Sequence, residues 1–118
     1  MVISSKDIVK RRFETPDEHR SFPRGGADIV TIAGVTLGLS RFEPGWKWSE
    51  HVKPIVGTES HEAEHLGYLL SGRLHTKMDD GSEAELVAGD LAYIPAGHDG
   101  WTVGDEPVVF LEILGTAQ

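Results

Sequence analysis

The chain has 118 residues, with 11 Lys plus Arg against 19 Asp plus Glu, a formal net charge of −8 and no cysteine. This length fits one domain with a sizeable core. The acidic balance disfavours a nucleic-acid backbone or an anionic membrane as partner, and the lack of thiols excludes disulfides, thiolate metal sites and a cysteine nucleophile.

No apolar run approaches the ~20 residues of a membrane span, and the start MVISSKDIVKRRF lacks the apolar core of a signal peptide. Cytoplasmic residence is therefore the default expectation. Residues 1–27 hold Ile3, Ile8, Val9 and Phe13 in no clear period. They predict an N-terminal arm that packs across a sheet or a partner subunit. Within it, Thr15-Pro16-Asp17-Glu18 has the order of a helix start, with a hydroxyl cap, a first-turn proline and acids next. Pro23 and Gly25-Gly26 limit any such helix to a turn or two.

From Asp28 the signals are those of strands, and residues 28–118 are predicted to form one barrel domain. Ile29–Ile32 is a β-branched run, and Val35–Phe42 follows after Ala33-Gly34. Pro44-Gly45 turns the chain into a predicted strand over Trp46–Val52. Lys53–Glu64 holds Pro54 and Gly57 and is predicted to be a long loop. His65–Leu70 and Arg73–Met78 are strands on either side of Gly72. Asp79-Asp80-Gly81 marks a hairpin, and Glu83–Val87, Leu91–Ile94, His98–Val103 and Val108–Leu114 complete the set. Short strands at about 8–12-residue spacing, with no long helical period, predict an all-β sandwich or barrel.

Three of the six histidines, His51, His61 and His65, fall between Gly45 and Gly72, and His98 lies in the later segment GDLAYIPAGHDGWTVG. Neutral imidazole is the commonest protein metal ligand, so histidines carried on neighbouring strands are a candidate metal site. Three imidazoles leave coordination positions open, and nitrogen-only ligation suits Fe, Zn, Ni, Mn or Cu better than Mg or Ca. The alternative is a metal-free polar pocket whose histidines bond one another and water. Strand alternation sets Glu62 and Glu64 opposite His61 and His65, as solvated acids unless the loop breaks the alternation. His75 falls with Arg73 and Lys77 on a solvated face, and His19 among surface charges. Trp46 and Trp48 read as core or subunit-interface residues. Trp101, close after His98, and Tyr93 are candidates to shape a substrate pocket. Nothing marks a phosphate loop, a nucleophile elbow or a catalytic triad, and no catalytic residue is assigned.

At these residues the chain resembles the cupins, whose first motif is G-x5-H-x-H-x3,4-E-x6-G and second is G-x5-P-x4-H-x3-N. Gly45, five residues and His51 match the opening; His65, six residues and Gly72 match the close, with His65 in the usual Glu position. Gly89, five residues and Pro95 match the second motif. The similarity covers about residues 28–114 and is nearest to small stand-alone cupins of unassigned function. It departs in four places. Lys53 replaces the second motif histidine, 13 residues separate His51 from His65, Gly100 stands at the place of the second-motif histidine with His98 two residues early, and Gly104 replaces the final Asn. His61 is placed to fold back into the vacated position.

The resemblance implies a cupin-type double-stranded β-helix, or jelly-roll, barrel. It implies a divalent transition metal held by His51, His65 and His98, with His61 as a further ligand, and a small-molecule ligand or substrate inside the barrel. Three-histidine cupins suggest dioxygenase-like chemistry, an isomerase is equally compatible, and the non-catalytic alternative is a metabolite-binding or sensing cupin. A homodimer is expected, because the arm carries apolar residues without a period of their own and Trp46 and Trp48 fall opposite His51; two-fold dimers are the commonest oligomers.

Overall fold

A computed structural model describes residues 6–59, 61 and 63–116. Apolar–polar alternation interrupted by Gly, Pro and Asp turns produces nine strands among these residues: β1 Glu18–Phe22, β2 Gly25–Ile32, β3 Val35–Phe42, β4 His65–Ser71, β5 Arg73–Met78, β6 Glu83–Val87, β7 Leu91–Ile94, β8 His98–Thr102 and β9 Val108–Thr116. The two short helices are α1, Trp48–His51, and α2, Lys53–Val56. All strand pairs are antiparallel. One sheet has the order β1-β2-β3-β9-β4-β7 and the other β6-β5-β8. The two face one another as the walls of a jelly-roll barrel, the all-β architecture expected from the sequence. No described helix is long and apolar enough to cross a membrane.

The inward-facing positions follow from strand parity. Leu69, Leu74, Ile94, Val108 and Phe110 point inward and form the core with Trp46 and Trp48. Leu69 and Val108 are wholly buried, and each such side chain removed from water is worth roughly 1.5–3 kcal/mol. Two glycines let the walls close. A Cβ on Gly67 would lie 2.4 Å from the Leu111 carbonyl oxygen, across the β4–β9 ladder. Gly72 has φ +82 and sits against the Pro107 backbone, a conformation that L side chains rarely adopt.

Two local expectations are corrected. The predicted strand over Trp46–Val52 is instead one residue of bridge, Lys47 to Trp101, followed by α1 and α2. Pro54 is tolerated near the start of α2, where an amide hydrogen would have no partner, and Gly57 ends it in the left-handed conformation. The helix start at Thr15-Pro16 becomes a turn. Its acid is used differently: Asp17 Oδ2 accepts the Thr31 N–H at 2.8 Å and its carboxylate pairs with Arg11.

Residues 18–22 of the N-terminal segment are part of the larger sheet. β1 pairs with β2 from Glu18 to Phe22, and β2 runs through residues 27 and 28 without a break. A side-chain chain, Ser21 Oγ to His19 Nε2 at 2.9 Å and His19 Nδ1 to Asp28 Oδ1 at 2.6 Å, clasps β1 to β2 on the outer face. On the inner face, Arg20 and Phe22 reach the barrel cavity.

Candidate metal centre

His65 opens β4, His98 opens β8, and His61 precedes β4 in the long loop. The loop is pinned by a backbone bridge to His98: His61 N–H donates to the His98 carbonyl at 2.7 Å, and Gly97 N–H donates to the His61 carbonyl at 2.7 Å. That bridge folds His61 back onto the other two. One ligand nitrogen from each of His61, His65 and His98 lies within 4.8 Å of the others. The ring centroids are 4.8 Å apart for His61–His65, 4.8 Å for His61–His98 and 5.2 Å for His65–His98.

The partners of the rings decide which nitrogen faces inward. His65 Nδ1–H donates to Glu112 Oε2 at 2.6 Å, and His98 Nδ1–H donates to the Pro95 carbonyl at 2.7 Å. Both rings therefore keep Nε2 as the lone-pair nitrogen, and that of His65 is within hydrogen-bond reach of His61 Nδ1. His61 Nδ1 lies 3.3 Å from His65 Nε2, close to the about 3.3 Å between two nitrogens on a tetrahedral zinc with ~2.05 Å bonds. The Trp48 indole stacks on the His61 ring at 5.4 Å and 17°. Three convergent nitrogens, two with their tautomer fixed by an outer oxygen, fit a divalent transition metal. The donors brought together are the three imidazoles of His61, His65 and His98.

Not every predicted residue joins this group. His51 closes α1, and its Nδ1 accepts the Lys47 backbone N–H at 3.0 Å; it is not in the three-histidine cluster. The strand parity that aimed it at the barrel does not apply within a helical turn. Glu62 lies outside the described residues. Glu64 is exposed and accepts the Tyr93 hydroxyl at 2.7 Å. Tyr93 is 58% exposed on β7 and is not among the cavity-lining residues. Trp101 stacks on His75 at 4.7 Å, with Lys47 Nζ 5.0 Å over its ring, and is likewise outside the cavity lining.

Glu112 is a candidate site residue that is absent from the set expected from the sequence. It is 7% exposed, and its signal was a carboxylate sharing inward parity with Val108 and Phe110 on β9. The histidines open onto a cavity of about 320 Å³. Its walls are mainly apolar: Phe42, Trp46, Trp48, Leu74, Ile94 and Phe110. Glu112 is the one carboxylate among the described lining residues.

Burial, reinforced by the neighbouring His65 and His98, lowers the His61 pKa from 6.5 to about 4. Burial also lowers that of His98, against the opposing bond to the Pro95 carbonyl. In the metal-free protein these rings stay neutral while the unfolded chain takes up protons. Stability is then fully present above the unfolded pKa near 6.5 and falls as pH drops toward 4. Allowing for solvent screening at a half-buried ring, the loss is on the order of 2 kcal/mol. Thermal melts of metal-free protein should drop by several degrees from pH 7.5 to pH 4.5. An unchanged midpoint would contradict buried neutral imidazoles.

A sugar phosphate isomerase of the cupin superfamily from Silicibacter pomeroyi shares 23% identity, with 93% of this chain and 76% of that one covered at a TM-score of 0.64. A protein of unknown function from Acidithiobacillus ferrooxidans shares 25%, with 82% and 86% covered at 0.60. An oxalate decarboxylase from Lactobacillus farciminis, solved as its formate complex, shares 22%, with 81% of this chain covered at 0.59. The chain spans 30% of that decarboxylase's length. No curated protein matches the chain at a significant level. These structures support the fold seen here, and the family model of the cupin domain matches residues 39–114. The spaced glycines, the Pro95 turn and the barrel that presents His61, His65 and His98 thus have one common account: the chain belongs to the cupin family.

Proposed function

We propose that the chain is a metal-dependent cupin, in which His61, His65 and His98 hold one divalent transition metal (Fe, Zn, Ni, Mn or Cu) beside a pocket for a small organic molecule. The observation that carries this is the convergence of three imidazole nitrogens within 4.8 Å on the cavity wall. When bound, the metal would supply Lewis-acid polarisation or oxygen activation. The chain's own residues supply the rest. Glu112 and the Pro95 carbonyl hold the His65 and His98 rings in the donating tautomer. Phe42, Trp46, Trp48, Leu74 and Phe110 exclude water and contact the apolar body of the ligand. A cavity of about 320 Å³ is at the lower end of small-molecule sites.

Between the two reaction classes, the lining favours a dioxygenase-like reaction over an isomerase. Proton-transfer isomerisation needs a base free to face the substrate, and the lining carboxylate, Glu112, is already engaged by His65. The same apolar lining also supports a binding or sensing role without turnover. Both are tested on iron-loaded protein with a panel of small aromatic and carbonyl compounds, following oxygen uptake and tryptophan fluorescence. Trp46 and Trp48 line the cavity, so a ligand should alter their emission. Saturable fluorescence change with oxygen uptake supports the enzyme. Fluorescence change alone supports the sensor. A third result, no ligand response in either signal across the panel, would contradict the pocket assignment.

A further inference from the structure

We propose that the outer face of β1 and β2 carries a second, metal-independent site, in which Ser21, His19 and Asp28 act as nucleophile, base and orienting acid in the hydrolysis of small carboxylic esters. His19 and Ser21 alternate on β1 and share its outer face. The ladder sets His19 opposite Asp28 and Ser21 opposite Gly26 on β2. The Asp28 carboxylate can only accept, so its 2.6 Å contact places the ring hydrogen on His19 Nδ1. In the neutral ring Nε2 then holds the lone pair, and it accepts the Ser21 hydroxyl at 2.9 Å. Hydroxyl, Nε2, Nδ1 and carboxylate, in that order, are the connections that activate a serine. His75, on the outer face of the other sheet, lacks them: its two nitrogens face Glu83 and Glu85.

Beside these three residues lies a hollow of about 360 Å³, in whose wall His19, Gly26 and Asp28 stand. Glycine makes room for the ring, since a Cβ on Gly26 would lie 3.2 Å from His19 Cε1. Leu39 and Val109 give the hollow apolar surface for an acyl chain, and Arg41 gives it a cation. The β2–β3 register sets Arg41 opposite Gly26, so Ser21, Gly26 and Arg41 form one row over three strands. No side chain stands between the hydroxyl and the guanidinium. At about 4.8 Å per strand their backbones are roughly 10 Å apart, a gap that an ester and the long Arg41 side chain fill. The bond from Arg41 to Glu43 uses Nε, and the guanidinium carries four further N–H donors. A donor there meets the oxyanion of a tetrahedral intermediate. In the reaction, Ser21 Oγ bonds to the acyl carbon as its proton passes to His19 Nε2. The ester C–O bond breaks and the alcohol leaves with that proton. Water then attacks the acyl-serine, its proton passes through Nε2 back to Ser21, and a carboxylic acid is released. Arg20 and Phe22, on the other face of β1, reach the barrel cavity, so the sheet separates this site from the histidine centre.

The full chain should hydrolyse p-nitrophenyl acetate with saturable kinetics, and a fluorophosphonate probe should label Ser21, as located by peptide mass spectrometry. Ser21→Ala and His19→Gln should each lower kcat/KM at least ~100-fold. Asp28→Asn should lower kcat more than it changes KM, because the ring loses its fixed tautomer. Ser21 and His19 are exposed, so their replacement leaves the core intact, and circular dichroism checks this. His75→Ala, and EDTA added to the parent, should leave the rate unchanged. A Ser21→Ala variant as fast as the parent would show an imidazole acting alone and overturns the proposal. So does a probe that leaves Ser21 unlabelled, or a rate that EDTA abolishes. The last result would move the hydrolysis to the histidine centre, whereas loss of metal binding there leaves every other outcome as stated.

Discussion

Replacing His98 by alanine should strip the metal from the protein. His98 is 4% exposed, and its Nδ1 is committed to Pro95, so Nε2 is the nitrogen left to donate to a metal. Removing one of three nitrogen donors leaves two, and the loss should exceed the roughly 10–100-fold contributed by outer partners. His61→Ala and His65→Ala should behave alike, because the three nitrogens form one group. His51→Ala is the informative contrast. Its ring accepts a backbone N–H four residues away, so the variant should keep its metal and lose about 1 kcal/mol of stability. Titration of each variant with zinc, followed calorimetrically at pH 8, separates these outcomes. Equal affinity in His51→Ala and parent, with loss in the other three, fits the assigned ligand set. Metal lost from His51→Ala but retained by His61→Ala would replace it.

Glu112 should be the next most sensitive position, although it is not assigned as a ligand. Its Oε2 fixes the His65 tautomer at 2.6 Å from Nδ1. Glu112→Leu leaves that N–H buried without an acceptor, at a cost of about 1–3 kcal/mol, and frees the ring to turn. Metal affinity should fall about 10–100-fold. Glu112→Gln keeps an acceptor oxygen and should fall less, toward the 10-fold end. The order Leu worse than Gln, with the far-ultraviolet circular dichroism unchanged in both, identifies a positioning role. Equal affinity in parent and Glu112→Leu would show that His65 needs no partner.

Most of the barrel was legible because its strands obey a two-residue period. The runs after residue 28 that became β3 to β9 needed only alternation and turn residues to be found. The stretch Trp46–Val56 misled because Trp46 and Trp48 alternate like strand residues. Its helical signals were the Trp48–Val52 spacing of four and the Pro54-to-Gly57 distance, which frames one turn. The same helical turn sets His51 apart from the three-histidine group. Trp101 is close to His98 along the chain, yet three positions apart on a strand means opposite faces. His98, Gly100 and Thr102 are buried, and Trp101 stacks outside on His75. In β7, Leu-Ala-Tyr-Ile gives no parity preference from sequence, and the structure buries Ala92 and Ile94 while Tyr93 faces out. His61 was reachable as the residue placed to refill the lost motif position. Its contact with His98 depends on a backbone bridge between segments 37 residues apart, for which local sequence holds no signal.

Elemental analysis of the untreated, purified protein tests the central claim most directly. The three-histidine centre predicts close to one transition-metal ion per 12.9 kDa chain at pH 8, released as the pH falls toward 4 and the imidazoles take up protons, and absent from His98→Ala. A chain that is metal-free as purified, and that takes up neither zinc, iron, manganese, nickel nor copper on titration, would contradict it.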